Sequence, residues 1–365
     1  TTDGNWLYDV FFQLRLDHPE IFWAVGFKYR HYKDSPNLIL IPEYIFDKNK
    51  IREHKKALHA RVEKLVRPAA KFSEWDKEKY VHDFICENIR YDKLKKPYSH
   101  EIIGPLGHGV GVCEGIAKSV KVLCDALGVW CIIAICGNNP EKGIKYRHTW
   151  NIVRINGQYY HLDATFDNTL GKNEDGSVSI RYDYFNLDDK NIFRDHEPLI
   201  APAPTCPDGS HFYYREKKLS FTKLEDVYKR ALQAAKKGRE FTFHWRGGYL
   251  TREILADLVD QIQTAGKTDH CMFAVCMCQT LFQSHCLDIK NFVAAAVTVC
   301  FGTWNKRGAG VEACQLCFIQ IPEGKVTYFV TGLGRRCDLE SSHTAAFTYK
   351  TPKIQLRHRH FIMKA

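Results

Sequence analysis

Three residues that lie far apart in the chain are of the types that together activate a sulfur nucleophile: Cys113, His148 and Asp163. Cys113 follows the glycines Gly109 and Gly111 and opens a segment in which apolar residues recur at helical spacing. A thiol attacks as the thiolate, and the free N–H groups at a helix N-terminus lower its pKa. The same N–H groups can stabilise the oxyanion of a tetrahedral intermediate. A cysteine beside glycine is also a common structural residue, so this position alone does not decide the chemistry.

A predicted β-hairpin brings the other two residues together. Strands are predicted over residues 146–155 and 158–166, and Asn156-Gly157 between them is a strong signal for a two-residue type I′ turn. In that register His148 and Asp163 are diagonal neighbours on one face, with Cα atoms about 7–8 Å apart. A carboxylate at this distance can fix the tautomer of an imidazole and stabilise its cation. A slip of one residue would separate the pair, and an incidental polar pair on a sheet is the alternative interpretation.

The segments that carry these residues resemble the transglutaminase-like superfamily, in particular its bacterial members with a stand-alone core. The resemblance covers roughly residues 15–200. Its matching segments are GVCEG (111–115), RHTWN (147–151), YHLDATF (160–166), YFNL (184–187) through Asp195-His196, HPEIFW (18–23) and HDF (82–84).

The resemblance implies an α+β fold with a papain-like core, in which a helix carrying the nucleophile packs on an antiparallel sheet that carries the other two residues. It implies that Cys113 attacks a carbonyl to form a thioester, that His148 moves the proton and that Asp163 orients His148. Trp150 and His108 are candidates for an oxyanion or pocket role, and a packing role for Trp150 is the alternative. We expect no cofactor and no metal.

Composition shifts divide the chain into four segments. Residues 1–50 are predicted to be a strand-rich flank, 51–200 the catalytic core, and 208–365 a second α/β or α+β domain of unknown role. Residues 201–207, APAPTCP, are predicted to be a linker because they hold three prolines.

Bulk composition excludes some partners. The net charge of +10 is spread along the chain, and the sequence contains no nucleic-acid recognition motif, so we expect no nucleic-acid partner. The positive charge is compatible with acidic or cell-wall polymers as partners. No apolar run approaches the roughly 20 residues that span a bilayer. Many of the 14 cysteines lie in apolar strand-like runs, which favours mostly reduced thiols and a cytoplasmic location. The chain does not begin with Met, so secretion with a signal peptide that has been removed is the alternative.

Two segments carry residue types that can bind metals. Cys314-Gln315-Leu316-Cys317 with Cys276-Met277-Cys278 offers four sulfurs for zinc, but both lie in apolar strand-like runs that favour core packing. Residues 167–176 are rich in calcium-type oxygens without EF-hand spacing, which favours a polar loop.

The first function hypothesis is therefore a thiol enzyme that acts on amide bonds of peptide or protein substrates, with hydrolysis favoured over transfer to an amine. The second is a non-enzymatic interaction protein that keeps the core as a scaffold. Small-molecule acyl transfer, as in arylamine acetyltransferases, is disfavoured because their Arg-Gly-Gly-x-Cys motif is absent.

Overall fold

The computed structural model forms two compact units, Thr1–Tyr213 and Tyr214–Ala365. It describes residues 4–32, 37–171, 178, 180–237, 239, 241–248 and 251–268. Farther on it describes the backbone of five strands, at 272–277, 296–302, 319–321, 325–330 and 345–350.

The first unit is an α+β fold, as predicted. Its helices are α1 (Gly4–Asp17), α2 (Lys48–Val66), α3 (Glu74–Asn88), α4 (Cys113–Ala126), α5 (Ala164–Leu170) and α6 (Asp189–Ile192). Its strands are β1 (Ala24–His31), β2 (Leu38–Tyr44), β3 (Arg90–Tyr91), β4 (Val110–Gly111), β5 (Cys131–Cys136), β6 (His148–Ile155), β7 (Gln158–Leu162) and β8 (Phe185–Leu187). Short 3₁₀ turns lie at Arg67–Ala69, Pro97–His100 and Pro140–Lys142, and a π-helix at Ile103–His108.

An antiparallel sheet in the order β5-β6-β7-β8 forms the platform of this unit. The predicted hairpin register is confirmed, since Ile155 pairs with Gln158 across the turn. Asn156 and Gly157 have φ of 50° and 82°, the positive values that a type I′ turn requires. Helix α4 packs on this sheet through buried apolar residues, which gives the papain-like arrangement of helix on sheet.

The N-terminal flank differs from the strand-rich prediction because it begins with helix α1. Strands β1 and β2 follow and pair antiparallel. Leu16 of α1 is buried in a cluster with Ala117 of α4 and with Ile133 and Ile135 of β5. Tertiary packing against α4 therefore stabilises a helix that propensity did not indicate.

The division between the units falls between Tyr213 and Tyr214 rather than at residues 201–207. Within the proline-rich segment, Cys206 is buried, and its backbone N–H donates to Oδ2 of Asp189. Its carbonyl accepts from the backbone N–H of Asp189, so this part of the segment is fixed to the first unit.

The second unit combines helices with two sheets. Its elements are α7 (Tyr213–Glu216), β9 (Ser220–Phe221), α8 (Leu224–Lys236), β10 (Phe241–Trp245), α9 (Arg252–Thr268), β11 (Met272–Met277), β12 (Ala296–Gly302), β13 (Ile319–Ile321), β14 (Lys325–Val330) and β15 (Ala345–Lys350). One sheet has the order β11-β12-β10-β9, with β9 parallel to β10, and the other the order β13-β14-β15. Buried residues of α8, β10 and α9 form a core around Phe243.

None of the helices in the described ranges is long and apolar enough to cross a membrane. Among the described side chains, no disulfide joins the cysteines Cys86, Cys113, Cys124, Cys131, Cys136 and Cys206. The side chains of the four candidate zinc ligands lie outside the described residues. Of the predicted polar loop at 167–176, Asp167 and Asn168 are instead buried in helix α5.

Candidate active site

Cys113 is the first residue of α4, where the helix begins without a side-chain cap because Val112 occupies the N-cap position. The start of the helix is fixed by a close approach to the 3₁₀ turn before it. A Cβ atom added to Gly115 would lie 2.2 Å from the carbonyl oxygen of Ser99, so only glycine fits there. The thiol is therefore held at an uncapped helix N-terminus, partly exposed to solvent.

A buried ion network stabilises the same end of α4. Lys118 is fully buried, and its Nζ lies 2.9 Å from Oε2 of Glu101 and 2.8 Å from Oε1 of Glu114, the neighbour of Cys113. Arg15 of α1 pairs with Glu101 as well. Burial alone would raise the pKa of Glu114, but its hydrogen bond with His100 and the charge of Lys118 lower that pKa to about 2. The first helical turn is thus tied to two other elements of the unit by charged contacts.

His148 and Asp163 contact each other directly. Nε2 of His148 lies 2.6 Å from Oδ2 of Asp163, and the carboxylate is fully buried. The predicted strand to residue 166 is too long, because β7 ends at Leu162 and Asp163 becomes the N-cap of α5. Its other oxygen, Oδ1, accepts from the backbone N–H groups of Thr165 at 2.9 Å and Phe166 at 3.0 Å.

The three residues form one electrostatic group. Burial would raise the pKa of Cys113, but the hydrogen bond and charge of His148 outweigh it, so the pKa of the thiol falls below its ordinary value. Burial would lower the pKa of His148, and the charge and hydrogen bond of Asp163 raise it well above its ordinary value. The charge and hydrogen bond of His148 lower the pKa of Asp163 despite its burial. Because Nε2 of His148 is bonded to Asp163, Nδ1 is the ring nitrogen left for the thiol. The arrangement favours a thiolate beside an imidazolium.

A family model matches part of the first unit. A model described as the transglutaminase-like superfamily matches residues 59–164, a range that contains Cys113, His148 and Asp163. This chain carries a transglutaminase-like domain. Residues 214–365 lie outside the matched range.

Two solved structures are similar to parts of the chain. One is a crystal structure of a TGase, with 14% identity, a TM-score of 0.26, and coverage of 45% of this chain and 48% of that chain. The other is a candidate cysteine protease from Cytophaga hutchinsonii, with 14% identity, a TM-score of 0.24, and coverage of 38% of this chain and 61% of that chain. The similarity thus spans less than two thirds of each structure. No curated protein matches the chain.

His196 lies beside these three residues and was not predicted as a site residue. Its Nε2 lies 2.9 Å from Oδ2 of Asp163, the oxygen that also bonds His148. Its Nδ1 lies 2.6 Å from Oδ1 of Asp195, whose second oxygen accepts from the hydroxyl of Tyr184. Burial would lower the pKa of His196, but hydrogen bonds to both carboxylates raise it. Asp195-His196 is among the segments that resemble the superfamily, but its position in the sequence does not predict a contact with Asp163.

The two pocket candidates from the sequence lie in different environments. The ring of Trp150 is buried and stacks on His148 with centroids 5.8 Å apart, and its Nε1–H donates to Nδ1 of His161 at 2.9 Å. That donor is therefore already engaged, and the contacts of Trp150 are those of a packing residue. His108 ends the π-helix with an exposed side chain whose ring lies 4.9 Å from that of Tyr98.

Tyr91 is a further polar residue beside the thiol, and no sequence motif pointed to it. It belongs to β3 and pairs with Gly111 of β4, two residues before Cys113. Burial and then the negative charges of Cys113 and Asp163 raise the pKa of Tyr91 to about 12. Tyr91 is 38% exposed, and its phenol stays protonated at neutral pH, so it is a hydrogen-bond donor near the thiol.

Two groups of side chains in the described residues have the spacing of metal ligands. One is His148, Asp163 and His196, whose nitrogens and carboxylate already bond each other. The other is His161, Asp189 and Cys206. Because Nδ1 of His161 accepts from Trp150, Nε2 carries the proton and donates to Asp189 at 2.9 Å. In this tautomer, His161 has no lone pair for a metal.

Proposed function

We propose that this protein is a thiol enzyme that cleaves amide bonds of peptide or protein substrates through a thioester on Cys113. The observation that carries the proposal is the polarised pair of His148 and Asp163 beside a partly exposed thiol of lowered pKa. A structural cysteine needs none of these three features. An interaction scaffold without activity would be free to lose them.

Acylation begins with the Cys113 thiolate and the His148 imidazolium. Sγ attacks the carbonyl carbon of the amide, and the C–O π electrons move to oxygen to form a tetrahedral oxyanion. As the intermediate collapses, the C–N bond breaks and His148 gives its proton to the departing amine. The products are a free amine and an acyl group in thioester linkage to Cys113.

Deacylation reverses the role of His148. The neutral imidazole takes a proton from water while the oxygen attacks the thioester carbon, and the C–S bond breaks to release a carboxylic acid and the thiolate. Asp163 stabilises the imidazolium that reforms. His196 keeps the Asp163 carboxylate in place through both steps and is a positioning residue.

Tyr91 and the uncapped N-terminus of α4 are the donors that we assign to the oxyanion. Loss of one oxyanion donor costs about 10²–10³ in kcat. We therefore expect Tyr91→Phe to lower kcat by about this factor while KM changes little. An unchanged kcat would exclude Tyr91 from the oxyanion site and leave the backbone donors.

Hydrolysis is the favoured outcome over transfer. Transfer requires that the site exclude water and bind the amine, and residues 100–200 offer no recognisable amine-binding feature. The net charge of +10 weakly disfavours a lysine side chain as the acceptor.

Alkylation of Cys113 tests the site assignment. Mild iodoacetamide treatment near neutral pH, followed by mass spectrometry, should modify Cys113 faster than any other cysteine. Cys113→Ser should abolish the fast reaction. Cys124 is the matched control, because it lies buried on the same helix and its pKa is raised by its hydrogen bond with Cys131 and by burial. Cys124→Ala should leave the fast reaction intact. Fast labelling elsewhere with Cys113 untouched would contradict the proposal.

Product partition tests the reaction type. A peptide that contains glutamine is incubated with increasing concentrations of a primary amine, and free acid and amine adduct are both measured. We expect the free acid to dominate at millimolar amine. If the amine adduct dominates, the proposed thioester on Cys113 still holds, but the reaction is acyl transfer rather than hydrolysis.

A further inference from the structure

His161 of β7 is a fully buried histidine that has no part in the steps described for Cys113. Its two ring nitrogens have different partners. Nδ1 accepts from the indole Nε1–H of Trp150 at 2.9 Å, and Nε2 donates to Oδ1 of Asp189 at 2.9 Å. Burial lowers the pKa of His161 below its ordinary value, so at neutral pH the ring carries one lone pair and one N–H. A neutral imidazole is thus held in one tautomer by a donor and an acceptor.

The sheet places Trp150 between His161 and His148. Ile152 of β6 pairs with His161 of β7, so Trp150, two residues before Ile152, is the diagonal neighbour of His161 on the same face. His148 lies two residues farther back along β6 and therefore shares this face as well. The hydrogen bond from Trp150 to His161 consequently acts on the side chain next to the general base.

The indole of Trp150 contacts both imidazoles that bond Asp163. It stacks on His148 with ring centroids 5.8 Å apart and planes 19° apart, and its plane makes an angle of 76° with that of His196, at a centroid distance of 4.9 Å. An indole rotated about χ2 would turn Nε1 away from His161, and this buried donor would lose its partner. The hydrogen bond therefore selects the orientation in which the indole faces His148.

An indole face beside an imidazolium stabilises the positive charge, because the face of the ring carries negative charge density. The distance of 5.8 Å between the rings of Trp150 and His148 is within the range of this interaction. A more stable imidazolium also stabilises the Cys113 thiolate, because the two charges attract each other. Fixing the indole therefore favours the ion pair from which acylation starts.

His161 is itself fixed from two sides. Oδ2 of Asp189 accepts from the backbone N–H of Cys206 at 2.9 Å, which leaves Oδ1 for His161. The ring of Phe193 lies edge-on to the imidazole of His161, with centroids 5.5 Å apart and planes at 76°. The imidazole cannot rotate or change its tautomer without losing one of these contacts. It is thus a rigid acceptor for Trp150.

We propose that His161 is a positioning residue for the reaction at Cys113, and that it acts through Trp150 by holding the indole against His148. This role rests on the proposed function and requires no contact of His161 with the substrate or with Sγ. It gives Trp150, a packing residue by its contacts, one required orientation.

The pH dependence of Cys113 alkylation tests the proposal in the full chain without a substrate. Rate constants for iodoacetamide at Cys113, measured by mass spectrometry between about pH 4 and 9, give the pH at which half of the thiol is ionised. His161→Leu removes the acceptor for Trp150, and we expect this midpoint to rise by about half a pH unit. His59→Leu is the matched control, because His59 is exposed on α2, and its midpoint should equal that of the wild type. A wild-type midpoint in His161→Leu would overturn the proposal.

Trp150→Phe removes the same hydrogen bond from the other side and keeps an aromatic ring. It should also raise the midpoint, which keeps the proposal testable if His161→Leu does not fold. Adding His161→Leu to Trp150→Phe should cause no further shift, because no N–H is left for His161 to accept. A further shift of the same size would show that His161 acts without Trp150.

His161→Gln separates positioning from packing. Glutamine has an acceptor for Trp150 and a donor for Asp189, so the midpoint should stay close to that of the wild type. A midpoint as high as that of His161→Leu would mean that the shape of the imidazole is what matters, and the positioning role would be wrong.

Failure of this inference differs from failure of the proposed function. If Cys113 is not the fastest cysteine to be alkylated in the wild type, the proposed function is wrong and the role of His161 with it. If Cys113 is the fastest and His161→Leu leaves its midpoint unchanged, only the role of His161 is wrong.

Discussion

Nε2 of His196 lies 2.9 Å from Oδ2 of Asp163, on the oxygen that already contacts His148 at 2.6 Å. One carboxylate oxygen is thus shared by two imidazoles, both with raised pKa values. The charge on one histidine must therefore influence the other.

Replacing His196 by asparagine should shift the alkaline limb of kcat/KM to higher pH. The acid limb reports loss of the Cys113 thiolate and the alkaline limb loss of the His148 imidazolium. Without the positive charge of His196, the negative charge of Asp163 stabilises the His148 imidazolium alone, which raises the pKa of His148. We expect a shift of about one pH unit, in line with the effect of one close charge. A lower rate with unmoved limbs would show a purely structural role.

Asp163→Asn should reduce turnover by roughly 10²–10⁴, because an amide does not support the imidazolium. Stability should change much less, since asparagine caps a helix about as well as aspartate and can still accept from Thr165 and Phe166. Thermal unfolding and kinetics on the same sample separate the two effects. Asp188→Asn is the control, because Asp188 is the N-cap of α6 outside the site. Near-wild-type turnover in Asp163→Asn would mean that another group orients His148.

Gly115→Ala should destabilise the first unit by at least about 2 kcal/mol, because the new Cβ would overlap the Ser99 carbonyl oxygen in a rigid backbone. Gly107→Ala is the control, since its Cβ would meet only a side-chain atom of Ile103 at 3.2 Å. Chemical denaturation measures both. Equal stability of the two variants would show that the start of α4 can move away from Ser99.

Glu78→Gln should make the protein more stable at pH 8 than the wild type. Burial raises the pKa of Glu78 to about 8 from an ordinary value of 4.5. The folded state therefore holds a proton that the unfolded state has lost between these values, so wild-type stability falls as the pH rises across this window. Glutamine removes that dependence. Melting temperatures from pH 5 to 8.5 should diverge progressively, whereas Glu87→Gln, exposed on the same helix, should follow the wild type.

The hairpin was predictable because its determinants are local. Asn156-Gly157 specifies the turn, and the turn specifies the register. The end of β7 was not predictable from the sequence. Within an apolar run, an aspartate that caps a helix cannot be distinguished from one that continues a strand. His148 therefore contacts Asp163 at the N-cap of α5, whereas the sequence predicted a diagonal pair on a longer strand.

Other features depend on contacts that no local pattern encodes. His196 lies 33 residues after Asp163, and their contact forms only in the folded chain, in which β8 between them pairs with β7. Tyr91 lies near Cys113 because β3 pairs parallel to β4, and a two-residue strand has no recognisable periodicity.

Asp163 divides its two oxygens between separate tasks: Oδ1 holds the amides of Thr165 and Phe166, and Oδ2 holds the two histidines. These two amide protons are consequently natural spectroscopic reporters. Their chemical shifts sense the charge state of the same carboxylate that orients His148. A nuclear magnetic resonance titration followed at Thr165 and Phe166 would read the ionisation of the site without substrate, label or mutation.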